Sequence, residues 1–497
     1  MVRPDYTEIL QLSKKYDIVP VCREIYADVT TPIALLRRIA YNSSRYFLLE
    51  SIEGGEKWGR YSFLGYDPVG RIICSKGEIT IEERGKKTVH SANPYQVLRD
   101  FLKRYRAPVL EDMPPFAGGL VGYFSYSMIG YTESVLKLRE SEFNDFDLML
   151  YDKVIAYDHL KQKICIVVNM STDRAEENYK KALDEIGDIV RMINGHDISA
   201  AAAPVSTSAA GDMPAAGGIP VFTCNVSKDE YCRMVEKAKE YIRNGDIFQA
   251  VVSRRFECEY NDSLLNPYRV LRTTNPSPYM VYIRNDDVEL ISASPETLVR
   301  LHNGVLSTFP IAGSRPRGRS EAEDRALEAE LLEDGKELAE HNMLVDLARN
   351  DLGKISKYNS VKVAKYKSIQ RYSRVMHITS EVEGNIREDK DALDAIEALL
   401  PAGTLSGAPK IRACEIIEDL EKDPRGIYGG AIGYIDFTGN MDACIAIRMA
   451  VKKGGRVYVQ AGAGIVADSV AGREYEESGH KAGAVLDAII SAGEVDL

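Results

Sequence analysis

Two pairs of glutamates have the residue type and spacing to do chemistry. Glu474 and Glu477 are spaced i, i+3, and so are Glu337 and Glu340 in KELAEHNMLVDLAR. On a helix that spacing puts both carboxylates of a pair on one face. Leu344 follows Glu337 by about two turns, and Val485 and Ile489 continue the line beyond Glu474 and Glu477. Each carboxylate row therefore runs into an apolar stripe instead of out to solvent. Either pair alone reads as a solvated Glu/Lys face. Two helices that each offer an inward pair suit Mg²⁺, which prefers few protein oxygens plus waters: two direct ligands and two through water.

The run Ala461-Gly462-Ala463-Gly464 follows a strand-like stretch at 456–459 and reads as a backbone turn clear of side chains. Bare N–H groups in such a turn hold an anion. Arg448, read as part of a strand in MDACIAIRMA, has apolar neighbours on both sides and needs an anion. Its planar fork suits a carboxylate of a ligand or of a structural salt bridge. His377, in strand-like RVMHITSEVEG, is an acid/base candidate only through its surroundings. PAGTLSGAPK, residues 401–410, is a loop that either wraps a ligand or merely turns. An acidic substrate bound partly through a metal accounts for this set. Residues 462–467 also match the GxGxxG/A dinucleotide fingerprint, but 468–472 intervene as a loop before the helix and no second strand follows it.

These side chains need elements to hold them. Residues 1–20 read as a short amphipathic helix and lead-in, and 21–168 as mostly strands, with a helix at 173–194. Ser227 and Glu230 form a capping-box pattern that starts a helix over 227–244. Strands are expected at 247–256, 280–283, 289–293 and 298–301, then helices at 321–349, 391–400 and 409–421. Strands at 431–436, 443–451 and 456–460 precede a last helix at 473–491. The predicted class is α+β, with large, mostly antiparallel sheets sandwiched by helices. Residues 196–219, rich in Ala, Pro and Gly, read as a linker or insertion between an N-terminal part (1–195) and a catalytic domain (220–497).

Composition narrows the class. A net charge of −11 argues against general nucleic-acid binding, and no apolar run reaches membrane-spanning length. The N-terminus lacks signal-peptide and transit-peptide patterns, which points to the cytoplasm. Eight scattered cysteines without a CxxC pair read as reduced thiols, and seven histidines without HExxH leave hard-oxygen ligands as the metal option.

The combination KELAEHNMLVDLARNDLG, RVMHITSEVEG, LPAGTLSGAPKIRACEII, GGAIGYIDF and QAGAGIVADS…EYEE resembles the chorismate-binding enzymes, over about residues 221–492. The resemblance implies that Glu340 and Glu477 contact Mg²⁺ directly, with Glu337 and Glu474 supporting them through water. It implies that Arg448 and Tyr428 hold a chorismate carboxylate, and that Gly462, Ala463 and Gly464 close around the substrate. Thr404 would share in binding and chemistry, and His377 would handle the proton at the departing C4 hydroxyl. Gln249 stands where the water-adding members carry a lysine base, which favours ammonia as nucleophile. In Pro310-Ile311-Ala312-Gly313-Ser314, Ala312 replaces the nucleophilic lysine of the aminodeoxychorismate-forming branch, and Ala312 and Gly313 are left as substrate contacts.

The branch implied makes anthranilate and pyruvate as a first step toward tryptophan, with aminodeoxychorismate formation the alternative and a non-catalytic tryptophan sensor the alternative of another class. No cysteine lies in a glutaminase-like segment, so ammonia would come from a glutamine amidotransferase subunit in a heterotetramer. Leu49, Glu50, Ser51 and Lys57, with Pro278, Tyr279 and Met280, resemble a tryptophan feedback site split between the two halves. Ser314, Gly335, Ala348 and Ser478-Gly479-His480 depart from the usual family residues without touching the proposed ligands.

Overall fold

The computed structural model describes residues 2–51, 59–195, 219–372 and 375–495. Among them the strands form two antiparallel sheets, one of thirteen strands and one of twelve. Apolar side chains of both, such as Phe47, Tyr123, Ile432 and Val451, meet in a core between them. The helices Pro32–Asn42, Ala175–Asn194, Leu265–Thr274 and Ala471–Ile490 cover the outer face of the larger sheet. Pro94–Leu102, Gly335–Gly353 and Ala392–Leu399 cover the outer face of the smaller one. This helix–sheet–sheet–helix sandwich is the α+β class expected from the alternating strands.

Neither sheet belongs to one half of the chain. In the larger, Tyr46–Glu50 pairs with Tyr279–Arg284; in the smaller, Gly119–Phe124 pairs with Ala431–Asp436. The expected linker at 196–219 lies outside the described residues except for Ile219.

Local signals worked where the partner was also local. Ser227 accepts from the Glu230 N–H while the Glu230 carboxylate accepts from the Ser227 N–H, opening the helix Lys228–Arg243. At the N-terminus, a helix at Tyr6–Leu12 stands between the strands Val2–Arg3 and Ile18–Tyr26. The helices Pro32–Asn42 and Pro94–Leu102 were missed, although Thr31 and Asn93 cap them and Pro opens each.

Three expectations are corrected. The helix expected over 321–349 is two, Glu321–Glu333 and Gly335–Gly353, because the Asp334 carboxylate accepts the N–H groups of Lys336 and Glu337 and starts a new helix. The strand expected over 443–451 is also two. Met441–Ile445 lies in the smaller sheet and Met449–Lys453 in the larger, with Arg448 between them at φ +48°. The turn expected at 461–464 is instead the end of a continuous strand, Arg456–Ile465, paired with Gln249–Glu259. A Cβ at Gly462 would stand 2.6 Å from the Val252 carbonyl oxygen, so glycine there permits close strand approach, not reversal.

Candidate active site

Two neighbouring crossings between the sheets form the heart of the site. The chain leaves the larger sheet at Ser294 and joins the smaller at Thr297, leaving Glu296 between. It returns between Ile445 and Met449, leaving Arg448 between. The Ile445 N–H donates to the Glu296 carbonyl and the Ala293 N–H to the Arg448 carbonyl, both at 3.0 Å. Topology thus brings the two crossings together, and Glu296 and Arg448 both line a cavity of about 790 Å³.

Arg448 is held in the left-handed region, which costs a non-glycine residue about 1–2 kcal/mol. Such strain persists where the surroundings impose it, often at ligand sites. Among the described residues its guanidinium makes no ion pair, which removes the structural salt bridge as its explanation. Burial lowers its pKa, against the opposing fields of Tyr428 and Glu477. The buried Tyr428 hydroxyl is pushed up by loss of water, while Arg425, Arg448 and the Gly462 N–H favour its ionised form. A cation, a phenol and a backbone donor therefore converge where an incoming carboxylate finds partners.

The opposite wall is acidic. Glu337 and Glu340 reach the cavity from the helix Gly335–Gly353, and Glu474 and Glu477 from Ala471–Ile490. Glu340 is pushed up by the surrounding protein, then by Glu337 and Glu477. Glu474 is pushed up by burial and by Glu477, although the Ser469 hydroxyl pulls it down. The wall is short of positive charge: Lys481 pairs with Glu477 at 2.7 Å, and Lys336 lies nearby. A divalent cation suits that deficit. Among the described residues no group of three His, Cys, Asp or Glu side chains is placed to hold a metal ion by itself, and a cation held here would need water and substrate oxygens to complete its shell.

Between these walls sit the groups for proton transfer. Gly313, at φ +66°, makes a bulge in the pairing of Ile311–Pro316 with Val375–Asn385. The bulge turns its carbonyl toward His377, whose Nδ1 donates at 3.0 Å. That bond makes Nε2 the lone-pair nitrogen of the neutral ring. Gly313 also lets Glu337 approach, since a Cβ there would stand 3.1 Å from its Oε2. Thr404 donates to the Glu296 carboxylate at 2.9 Å. Burial raises Glu296 to about 7, so it holds a proton near neutrality.

The cavity takes in most of the residues singled out in the sequence. Gln249, Ala312, Gly313, His377, Thr404 and Tyr428 line it, as do Arg448, Gly462, Gly464 and all four glutamates. Ala463 is different. Its side chain points through the opposite face of the strand, into a core with Tyr231 and Val252, as alternation along a strand requires. Glu296 and Lys481 were missed. Lys481 carried a signal, four residues after Glu477; Glu296, a lone acid in ISASPET, carried none until the crossing existed.

The residues likened to a feedback site meet on adjacent strands. Glu50 is the cross-strand partner of Met280, and Leu49 that of Val281. The buried Glu50 carboxylate accepts from Arg272 at 2.8 Å, Tyr268 at 2.9 Å and Ser62 at 3.1 Å. Met280 is fully buried, and the Tyr279 hydroxyl donates to Asp442 at 2.8 Å. Ser51 follows the strand end, and Pro278 lines the large cavity. Lys57 lies outside the described residues.

Comparison with known proteins gives this geometry relatives. Residues 45–487 match the family model of the chorismate binding enzyme. A curated protein from Acetivibrio thermocellus, anthranilate synthase component 1, is 48% identical over 100% of both chains. The crystal structure of anthranilate synthase component I from Streptococcus pneumoniae superposes with a TM-score of 0.74 at 36% identity, covering 93% of this chain and 99% of that one. The menaquinone-specific isochorismate synthase from Escherichia coli shares the fold, with a TM-score of 0.67 at 16% identity.

Proposed function

The chain belongs to the chorismate-binding enzymes, and from that premise we propose that it is the ammonia-using component of an anthranilate synthase. Chorismate and ammonia become anthranilate, pyruvate and water. The observation that carries this reading is the Arg448 guanidinium, without an ion pair among the described residues, lining one cavity with four crowded carboxylates. Such a site takes a substrate with one carboxylate for the cation and another for a metal. Gln249, which cannot serve as a general base, and Ala312, which cannot act as a nucleophile, favour attack by ammonia itself.

Arg448, Tyr428 and the Gly462 backbone hold one carboxylate of chorismate. The protonated Glu296, steadied by Thr404, delivers a proton to the C4 hydroxyl, which leaves as water as ammonia adds at C2. His377, with its tautomer held by the Gly313 carbonyl, moves protons at the same end. Loss of the C2 proton then expels the enolpyruvyl group as pyruvate and makes the ring aromatic. Glu340 and Glu477 would hold Mg²⁺ directly, with Glu337 and Glu474 through water. When bound, that ion neutralises the acidic wall and takes the ring carboxylate.

Ammonia comes from a glutamine amidotransferase subunit in a heterotetrameric complex in the cytoplasm, and tryptophan inhibits by binding where Tyr46–Glu50 meets Tyr279–Arg284. Support for the inhibitor reading is that this seam joins the two halves and runs into the cavity at Pro278. Among the described residues no helix is long and apolar enough to cross a membrane. The decisive experiment supplies chorismate, Mg²⁺ and ammonium and follows anthranilate fluorescence. Turnover without any amidotransferase is expected, and a non-fluorescent amino product would move the enzyme to another branch. Millimolar tryptophan should suppress the signal in the wild type and less so in Ser51→Ala; equal, unaffected rates in both would remove the regulatory reading.

A further inference from the structure

Half of the acidic wall rides on the first two turns of Ala471–Ile490, where Ala471 and Tyr475 pack, part-buried, against a small core that includes Tyr231 and Val235. Up to Lys481 the only buried residue is Ser478, while Ala482, Val485, Ala488 and Ile489 anchor the later turns. Arg254 adds a polar grip to that packing. It extends from the strand Gln249–Glu259 toward the helix and is 4% exposed. Its Nε donates to Ser478 Oγ at 3.0 Å and its Nη2 to the Tyr475 carbonyl at 2.9 Å. The guanidinium also lies 3.7 Å from the centre of the Tyr475 ring. Gly479 clears the space, since a Cβ there would stand 2.9 Å from Nη2.

Among the described residues Arg254 has no carboxylate partner. A buried cation that spends its fork on a hydroxyl, a helix carbonyl and an aromatic face gains geometry more than charge neutralisation. Tyr475 and Ser478 alternate along the helix with Glu474 and Glu477, so gripping the former sets the direction of the latter. We propose that Arg254 is a positioning residue for the metal, fixing the rotation of the last helix so that Glu474 and Glu477 face Glu337 and Glu340. The proposal rests on the reading of these carboxylates as a Mg²⁺ site.

The test is a Mg²⁺ titration of the purified chain, read by calorimetry and by thermal shift, beside the Mg²⁺ dependence of turnover. Arg254→Lys, which keeps the charge but loses the fork, should raise the Mg²⁺ half-saturation about tenfold or more, as loss of a residue that orients ligands does. Turnover at saturating Mg²⁺ should fall far less, by about threefold or under. Ser478→Ala and Gly479→Ala disturb the same grip without removing the cation, and should shift the half-saturation the same way even if Arg254→Lys does not fold. Val485→Ala loosens the same helix from its core and should lower Tm with no change in Mg²⁺ affinity. Unchanged affinity in the Arg254, Ser478 and Gly479 variants overturns the positioning role. A wild type that binds no Mg²⁺ overturns the metal reading itself, and the positioning role with it.

Discussion

Glu296 shows how much of the chemistry depends on one displaced equilibrium. Burial raises its carboxyl from 4.5 to about 7, so between those values the folded chain holds a proton that the unfolded chain has lost. Stability therefore falls as pH climbs through that window. Glu296→Gln removes the cost and keeps an acceptor for Thr404, so Tm at pH 8 should rise. Turnover should drop about 10²–10⁴-fold, the usual worth of a general acid. The wild type should also lose kcat/KM as pH rises past about 7, since that limb reports the free enzyme. A Glu296→Gln enzyme of near-normal rate, with that basic limb intact, would place the acid elsewhere. Arg448 separates binding from folding in the same way. Arg448→Gly keeps the left-handed turn and relieves its strain, so Tm should hold or rise. KM for chorismate should rise on the order of 10–100-fold, because a charge-assisted pair contributes about 1.5–3 kcal/mol. An unchanged KM would free Arg448 of the substrate carboxylate.

At the scale of an element, the strand Arg456–Ile465 carries two glycines that look alike in sequence and do different work. A Cβ on Gly462 would press on the Val252 carbonyl oxygen, which is backbone and cannot move aside. A Cβ on Gly464 would meet the Gln249 side-chain nitrogen at 2.7 Å, the far end of a side chain that can swing into the cavity. Gly462→Ala should therefore lower Tm by several degrees, an overpacking cost of about 1–3 kcal/mol. Gly464→Ala should keep its Tm and lose activity. Thermal melts beside initial rates check both, and a reversed pattern would mean that the strand pairing bends more readily than Gln249. The break at Asp334 works at this scale too. By starting a new helix there, it sets the rotation at which Glu337 and Glu340 enter the cavity.

Across the whole molecule, the halves on either side of 196–218 share both sheets, so neither has a complete core alone. The pairing of Tyr46–Glu50 with Tyr279–Arg284, and of Gly119–Phe124 with Ala431–Asp436, leaves open edges if one half is removed. A chain cut within 196–218 should stay associated on gel filtration and keep its ammonium-dependent activity. Residues 220–497 expressed alone should aggregate. A soluble, monomeric, active 220–497 fragment would show that the shared sheets are dispensable.

What the sequence determined alone was what repeats along the chain or lies within a turn of it: the alternating strands, the Ser227 capping box and the i, i+3 glutamate pairs. The motif wording also carried the family and, through it, most of the cavity's lining. Tertiary structure decided the rest, because each remaining feature depends on a partner far away. Arg448 read as a strand residue because its neighbours are apolar, yet the chain changes sheets beside it. Glycine at 461–464 read as a turn because glycine favours turns, yet a second strand needed that space. The Glu296 carboxyl keeps its proton toward neutrality only because the fold around the crossing desolvates it, and no spacing in a sequence encodes that loss of solvent.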